Sequence, residues 1–367
     1  MDLTTYASLV LAVMVAAYAV AKVLKLSTEI SMFIAALAGC LAGGFGLPAR
    51  QIAEGAMTYL DINLIFITAT LFMNILKESG GVAFVVRELF ARFHKQRAIL
   101  LVLLTILLLV PGALTGAGSV TVLICGSMVG TVLVSMGVPK VKTAAIVFIL
   151  AGLSAAAPPV SLWAMMTAAG VNMPYVGFFW PLMIPCLVAG IATMFILGWK
   201  GTPAKTEQVL ASLPASPEGM NWLKVFLPFV VFLGFIFLGR TWPHSTVVTG
   251  LPFMFLCSAV VSYVLSPLKL NFLKISRETI NQLLPLLGTL TCVGILVQIM
   301  TLTGVRGLLA VTTVTLPVTI VFATLFIVLP LIVWVMVGFF EDLPVEMEEA
   351  ARIDGTTLAG YLVRVAI

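Results

Sequence analysis

Long apolar runs separated by short polar turns follow one another along almost the whole chain. Runs of about 18 to 25 residues suit helices that cross roughly 30 Å of hydrocarbon while satisfying their own backbone hydrogen bonds. Eleven spans are predicted, near 5–21, 28–46, 62–76, 98–118, 119–138, 143–171, 175–199, 223–239, 247–265, 283–300 and 313–338. Between the seventh and eighth lies KGTPAKTEQVLASLPASPEGMNW, residues 200–222, whose Pro, Ser, Thr and Ala content predicts a cytoplasmic linker. The pattern therefore divides into a first membrane unit (1–199), the linker (200–222), a second and truncated unit (223–330), and a final part (331–367) that closes the last span and turns acid-rich and amphipathic.

Two spans carry sequences that should not continue a helix. In VPGALTGAGSVT, residues 110–121, Pro111 removes a backbone donor, and Gly112, Gly116 and Gly118 lower the cost of unwinding. In LSAAAPPVS, residues 153–161, Pro158 and Pro159 free carbonyls and bias Ala157 away from helical dihedrals. Broken backbone at membrane depth is tolerated where it is buried in protein or lines a wet cavity. Freed carbonyls can hold a cation there, and the half-helices that restart at Ser119 and at Val160–Ser161 point open N–H groups toward an anion. The candidate substrate- and ion-binding set is Asn74, Thr115, Gly116, Gly118, Ser119, Ser154, Pro158, Pro159 and Ser161, with Thr121 as a further hydroxyl. Gly and Pro also make plain packing kinks in membrane helices, but two breaks this close, each flanked by hydroxyls, favour a site.

The two halves share weak internal similarity. ILKESGGVAFVV, 75–86, resembles IMTLTGVRGLLAV, 299–311, placing Ser79 on Thr303 and Gly80 on Gly304; the apolar run ending at Pro111 likewise resembles the one ending at Pro330. Related units in opposite orientation are the mark of an inverted-repeat secondary transporter.

Composition narrows the class further. At 61% hydrophobic and 10% charged residues the chain lies outside the range of soluble domains. With the amino terminus outside and the carboxyl terminus cytoplasmic, 17 Lys and Arg residues fall inside and only Arg50, Arg240 and Arg306 outside. This positive-inside bias explains the net charge of +5 without a nucleic-acid partner. Asp2 in place of a basic leader predicts a retained first anchor. Cys40, Cys125, Cys186, Cys257 and Cys292 lack metal-ligand spacing and are expected to be packing thiols, and His94 and His244 interfacial residues. Neither a nucleotide-binding loop nor a catalytic triad is legible, so no enzyme is expected. Acidic residues are expected to lie outside the spans, which favours Na⁺ on neutral oxygens over a proton relay.

In LDINLIFITATLFMNILKESGGVAFVVRELFARF, then GALTGAGSVTVLICGSMVGTVLVSMGVP, then LSAAAPPVSLWAMMTAAGVNMPYVGFFWPLMIPCLVAG, the chain resembles the large membrane subunit of tripartite ATP-independent periplasmic (TRAP) transporters, over roughly residues 1–330. The resemblance rests on a Ser-Gly-Gly turn, a Gly-rich break and a small-residue stretch ending in Pro-Pro; the acidic residue often found after the first break is replaced by VTVL. It implies an inverted-repeat elevator in the bacterial inner membrane that moves a carboxylate such as a C4-dicarboxylate with Na⁺. It also implies two partners, a small membrane subunit and a periplasmic solute-binding protein. Residues 115–119 and 154–161 would be the tips that hold ion and substrate.

The last part resembles something else. LPLIVWVMVGFFEDLPVEMEEAARIDGTTLAGYLVRVAI looks like the EAA loop of sugar-type ABC importer permeases, with Glu349, Ala350, Ala351, Asp354 and Gly355 in the conserved stretch of that family's motif. This implies a coupling helix that docks into an ATPase subunit. The two resemblances meet near Pro330, where the repeat predicts a second membrane break and LIVWVMVGFF follows instead. The expectation is a TRAP-type subunit, truncated or fused to an ABC permease fragment, with neither mechanism complete in this chain. The alternatives are an ABC importer permease and an inactive membrane scaffold.

Overall fold

A computed structural model of the chain describes residues 3–170, 175–200, 209–210, 212–241 and 250–309. Within these, the regular structure is helical throughout and contains no strand. The helices are α1 Leu3–Val23, α2 Thr28–Ala42, α3 Ala49–Met57, α4 Leu60–Glu78, α5 Gly81–Phe93 and α6 Arg97–Thr115. They continue with α7 Gly118–Ser135, α8 Lys140–Ala156, α9 Leu162–Gly170, α10 Phe179–Gly198, α11 Trp222–Thr241, α12 Leu251–Leu265 and α13 Phe272–Leu302. A π-helical turn, Val122–Gly126, lies within α7.

Among the described residues six segments are long and apolar enough to cross a bilayer: Thr4–Val23, Ala49–Glu78, Arg97–Thr115, Gly118–Ser135, Phe179–Gly198 and Phe272–Leu302. Shorter apolar helices are Thr28–Ala42, Trp222–Leu238 and Leu251–Leu265. Large apolar side chains line their outer faces; on α11, Leu223, Phe226, Val230, Leu233 and Phe237 are all exposed at helical spacing. In water such a stripe would be an aggregation surface, whereas in lipid it is the solvent contact. The chain is an all-α membrane-embedded protein.

The first ten predicted spans overlap helices, with three differences, one being that the span at 283–300 begins eleven residues (283 minus 272) inside α13. The span at 62–76 is extended on its amino side by amphipathic α3, and the span at 143–171 is two helices, α8 and α9. The eleventh, together with Pro330 and the segment carrying Glu349 to Gly355, lies outside the described residues.

Contacts divide the chain into two units. The first joins the residues up to Asn63 with those from Asn281, and the second contains Leu64–Ile280. In the first unit α1 and α2 pair, and the later part of α13 packs on them: Ile295 and Ile299 meet Ala36 and Cys40, while Leu296 and Met300 meet Val10 and Met14. In the second, α6, α8 and α10 pack on one another, α11 pairs with α12, and Phe72 of α4 stacks edge-on against Phe229 of α11, ring centroids 5.2 Å apart.

The expected linker is anchored where it is described. Arg87 Nη1, on α5, donates to the carbonyls of Leu210, Leu213 and Pro214 at 2.8, 3.1 and 3.2 Å. Val209 and Leu213 are buried, and a Cβ at Gly80 would collide with Pro217. Two apolar side chains and one guanidinium hold this part of it to the bundle.

The weak repeat is visible in the structure at residue level. Ser79 to Thr303 is an offset of 224 residues (303 minus 79). At both places a helix ends in a buried hydroxyl residue that bonds back into its own last turn, followed by a left-handed glycine, Gly80 at φ 78° and Gly304 at φ 76°. The same offset carries Arg50 onto Lys274 and Glu54 onto Glu278, and both pairs form i,i+4 ion pairs, at 2.8 and 3.8 Å. It carries Ala49–Glu78 onto Phe272–Leu302, and α2 onto α12, within one residue at each end.

Candidate substrate and ion site

The first break falls inside the predicted stretch 110–121. Helix α6 runs through Pro111 and ends at Thr115, because one missing donor is tolerated while the left-handed Gly116 (φ 68°, ψ 9°) is not helical. Ala117 is extended, and α7 restarts at Gly118, one residue before the predicted Ser119. Ala117 supplies no capping side chain, which leaves the first-turn N–H groups of an 18-residue helix open at its amino end. The second break is where the Pro-Pro pair places it: α8 ends at Ala156, Ala157 is extended at ψ 141°, and α9 begins at Leu162. The extended Ala157 follows from the proline after it.

The two breaks are joined to each other. The Val160 N–H donates to the Ala113 carbonyl at 2.9 Å, so backbone released at the second break satisfies backbone near the first. Ser154 Oγ donates to the Ala151 carbonyl at 2.7 Å, and Thr121 Oγ1 lies 2.9 Å from Ser154 Oγ, so Thr121 is the donor of that pair. Glycines permit the approach: a Cβ on Gly112 would strike the Ser154 side chain, and one on Gly118 would strike the Ala151 carbonyl. Gly116 has room for a hydrogen only, with Phe66 Cε1 2.6 Å from an ideal Cβ and Val160 Cγ1 3.4 Å away.

This packing sorts the predicted hydroxyls. Thr115 is fully buried and donates to the Pro111 carbonyl at 2.7 Å; Thr121 and Ser154 are committed to each other and to the backbone. Ser119, half buried, and Ser161, buried, make no side-chain hydrogen bond among the described residues. These two stand at or beside the amino ends of the restarted helices, with Pro158 and Pro159 between α8 and α9. Asn74 is held on another helix pair, its Nδ2 donating to Thr279 Oγ1 of α13 at 2.8 Å.

Three participants were not singled out from the sequence. Tyr175 Oη accepts the Ser161 N–H at 3.2 Å, and thereby tethers the second break to the short 3₁₀ turn Tyr175–Phe178. Thr279 partners Asn74, although 205 positions separate them. Glu29 corrects the expectation that acidic residues avoid the spans, as do Glu54 and Asp61 within Ala49–Glu78 and Glu278 within Phe272–Leu302. Glu29 sits in the first turn of α2 and accepts from Thr289 Oγ1 of α13 at 3.0 Å. A carboxylate at a helix amino terminus is favoured by the helix dipole, and that position in KLSTEISMF was a readable signal. The cysteines are all free, three of them buried.

Fold and site together define a helical membrane protein whose bundle contains two helix interruptions hydrogen-bonded to one another. No protein-family model, curated protein or solved structure matches the chain.

Proposed function

We propose that this chain derives from the large permease subunit of a TRAP-type secondary transporter, and that its two breaks bind an organic acid such as a C4-dicarboxylate together with Na⁺. One observation carries the reading: two interrupted membrane helices meet through the Val160–Ala113 hydrogen bond, each followed by a helix start bearing an uncommitted serine, Ser119 and Ser161. The open first-turn N–H groups of α7 and the Ser119 and Ser161 hydroxyls suit a carboxylate. The Val160 and Ser161 N–H groups, expected to be open, are already bonded, to the Ala113 carbonyl and Tyr175 Oη. Carbonyls freed by the breaks suit Na⁺. The 224-residue repeat supports an inverted architecture (303 minus 79). In the first unit Gly55 meets Ile295 and Gln298 while Tyr59 meets Gly294, so residue numbers rise on one helix as they fall on the other, as in antiparallel packing. In the second unit Asn74 meets Thr279, and the repeat offset carries that pair onto Gln298 and Gly55. Reciprocal contacts of this kind arise between copies related by a two-fold.

In this reading the amino terminus faces outside and the protein works in a bacterial inner membrane with a small membrane subunit and a periplasmic solute-binding protein. The test is ligand-dependent stability of the purified chain. Na⁺, but not K⁺, should raise the melting temperature, a C4-dicarboxylate should raise it further only when Na⁺ is present, and Ser119→Ala with Ser161→Ala should remove the dicarboxylate shift. Equal shifts with Na⁺ and K⁺, and none with dicarboxylate, would contradict the proposal. The alternative of an ABC-type permease rests on EEAARIDG alone; co-purification with an ATPase that is lost on Glu349→Ala or Gly355→Trp would favour it.

A further inference from the structure

A second polar feature lies away from the two breaks, where α7 turns into α8. A groove of about 580 Å³, within the roughly 300–1,000 Å³ of ligand pockets, is bounded by α7, α8 and the anchored part of the linker. Its lining changes character along its length. Gly126, Gly130 and Val134 on α7 and Ala144 and Val147 on α8 make an apolar channel that follows the helices. Near the turn between the helices the lining is Ser135, Lys140 and Thr143, with Ser212 from the linker.

The polar end is set up for an anion. Ser135 and Ser212 already donate to backbone carbonyls, at 2.7 Å each, as does Thr131 beside them at 2.9 Å. Thr143 does not: it is only 5% exposed, and its buried Oγ1 has no hydrogen-bond partner. A buried hydroxyl without a partner carries a desolvation cost that a ligand oxygen would relieve. Lys140 forms no ion pair among the described residues, and no carboxylate lines the groove. Helix α8 starts here too, and Pro139 before it provides no side-chain cap, so its first-turn donors add to the same positive end.

We propose that this groove binds an anionic phospholipid, with its phosphate on Lys140, Thr143 and the amino end of α8 and an acyl chain along Gly126, Gly130 and Val147. A free phosphate would use only the polar end and leave the glycine-lined channel without an occupant. The channel opens because Gly126 and Gly130 carry no side chains; an ideal Cβ at Gly130 has only Thr143 Cγ2 nearby, at 3.7 Å, so a larger residue there fills the groove.

Native mass spectrometry of the full chain, delipidated in detergent and offered phosphatidylglycerol or phosphatidylcholine, tests this. Phosphatidylglycerol should be retained over phosphatidylcholine, and Lys140→Gln should lower its retention by about fivefold, the effect of one cation at an anionic lipid. Thr143→Val should also lower retention and Gly130→Leu abolish it, while Lys142→Gln, one turn position away and outside the lining, should leave it near the wild-type level. Excess inorganic phosphate should fail to displace the lipid. Equal retention of the two lipids overturns the proposal, as does an equal loss in Lys142→Gln, which would mean diffuse surface attraction. Complete displacement by phosphate overturns it in favour of a free-anion site. Should Gly130→Leu fail to fold, Lys140→Gln with Thr143→Val gives the same decision.

Discussion

At the scale of single residues, the Thr121–Ser154 pair ties the first half-helix to α8 inside the bundle, and both hydroxyls are fully buried. Ser154→Ala takes away the acceptor and leaves the Thr121 hydroxyl unpaired, at a cost of about 1–3 kcal/mol. Thermal unfolding in detergent should show this as a lower midpoint, and adding Thr121→Val should recover part of the loss, because two apolar groups need no partner. Unchanged midpoints in both variants would mean that the pair does not hold the break. The hydroxyls were legible as a group in the sequence; their division was not. Thr115 and Ser154 bond back to carbonyls four and three residues earlier, but the Thr121–Ser154 pair joins side chains 33 positions apart, and no local pattern encodes that.

At the scale of elements, the breaks were readable because Gly and Pro act locally. The Pro-Pro pair fixed the end of α8 closely, since a proline restricts the residue before it. Within the predicted stretch 110–121 it is the left-handed Gly116 and not Pro111 that ends the helix, because a lone proline removes only one hydrogen bond. The linker's composition did not reveal how it is held: Arg87 binds three of its carbonyls. Arg87→Ala should free that segment, and limited trypsin digestion should then cut at Lys200 or Lys205 several times faster than in the parent protein. An unchanged cleavage rate would show that Val209 and Leu213 hold the segment without the guanidinium.

At the scale of the whole molecule, hydropathy identified the class, because lipid demands helices that satisfy their own backbone and accepts apolar outer faces. The repeat was visible in the sequence at Ser79–Gly80 and Thr303–Gly304 and in the apolar runs ending at Pro111 and Pro330. Its wider extent is faint in sequence because apolar residues substitute freely for one another, and the informative matches, Arg50–Glu54 with Lys274–Glu278 and Asn74 with Gln298, are sparse polar positions. The central claim is that these two copies face opposite sides of the membrane. In a variant with its five cysteines replaced by alanine, single cysteines at positions 50 and 274 can be labelled with a membrane-impermeant maleimide in intact cells and after permeabilisation. The account predicts that Arg50→Cys is labelled from outside and Lys274→Cys only after permeabilisation; labelling of both from the same side would contradict it.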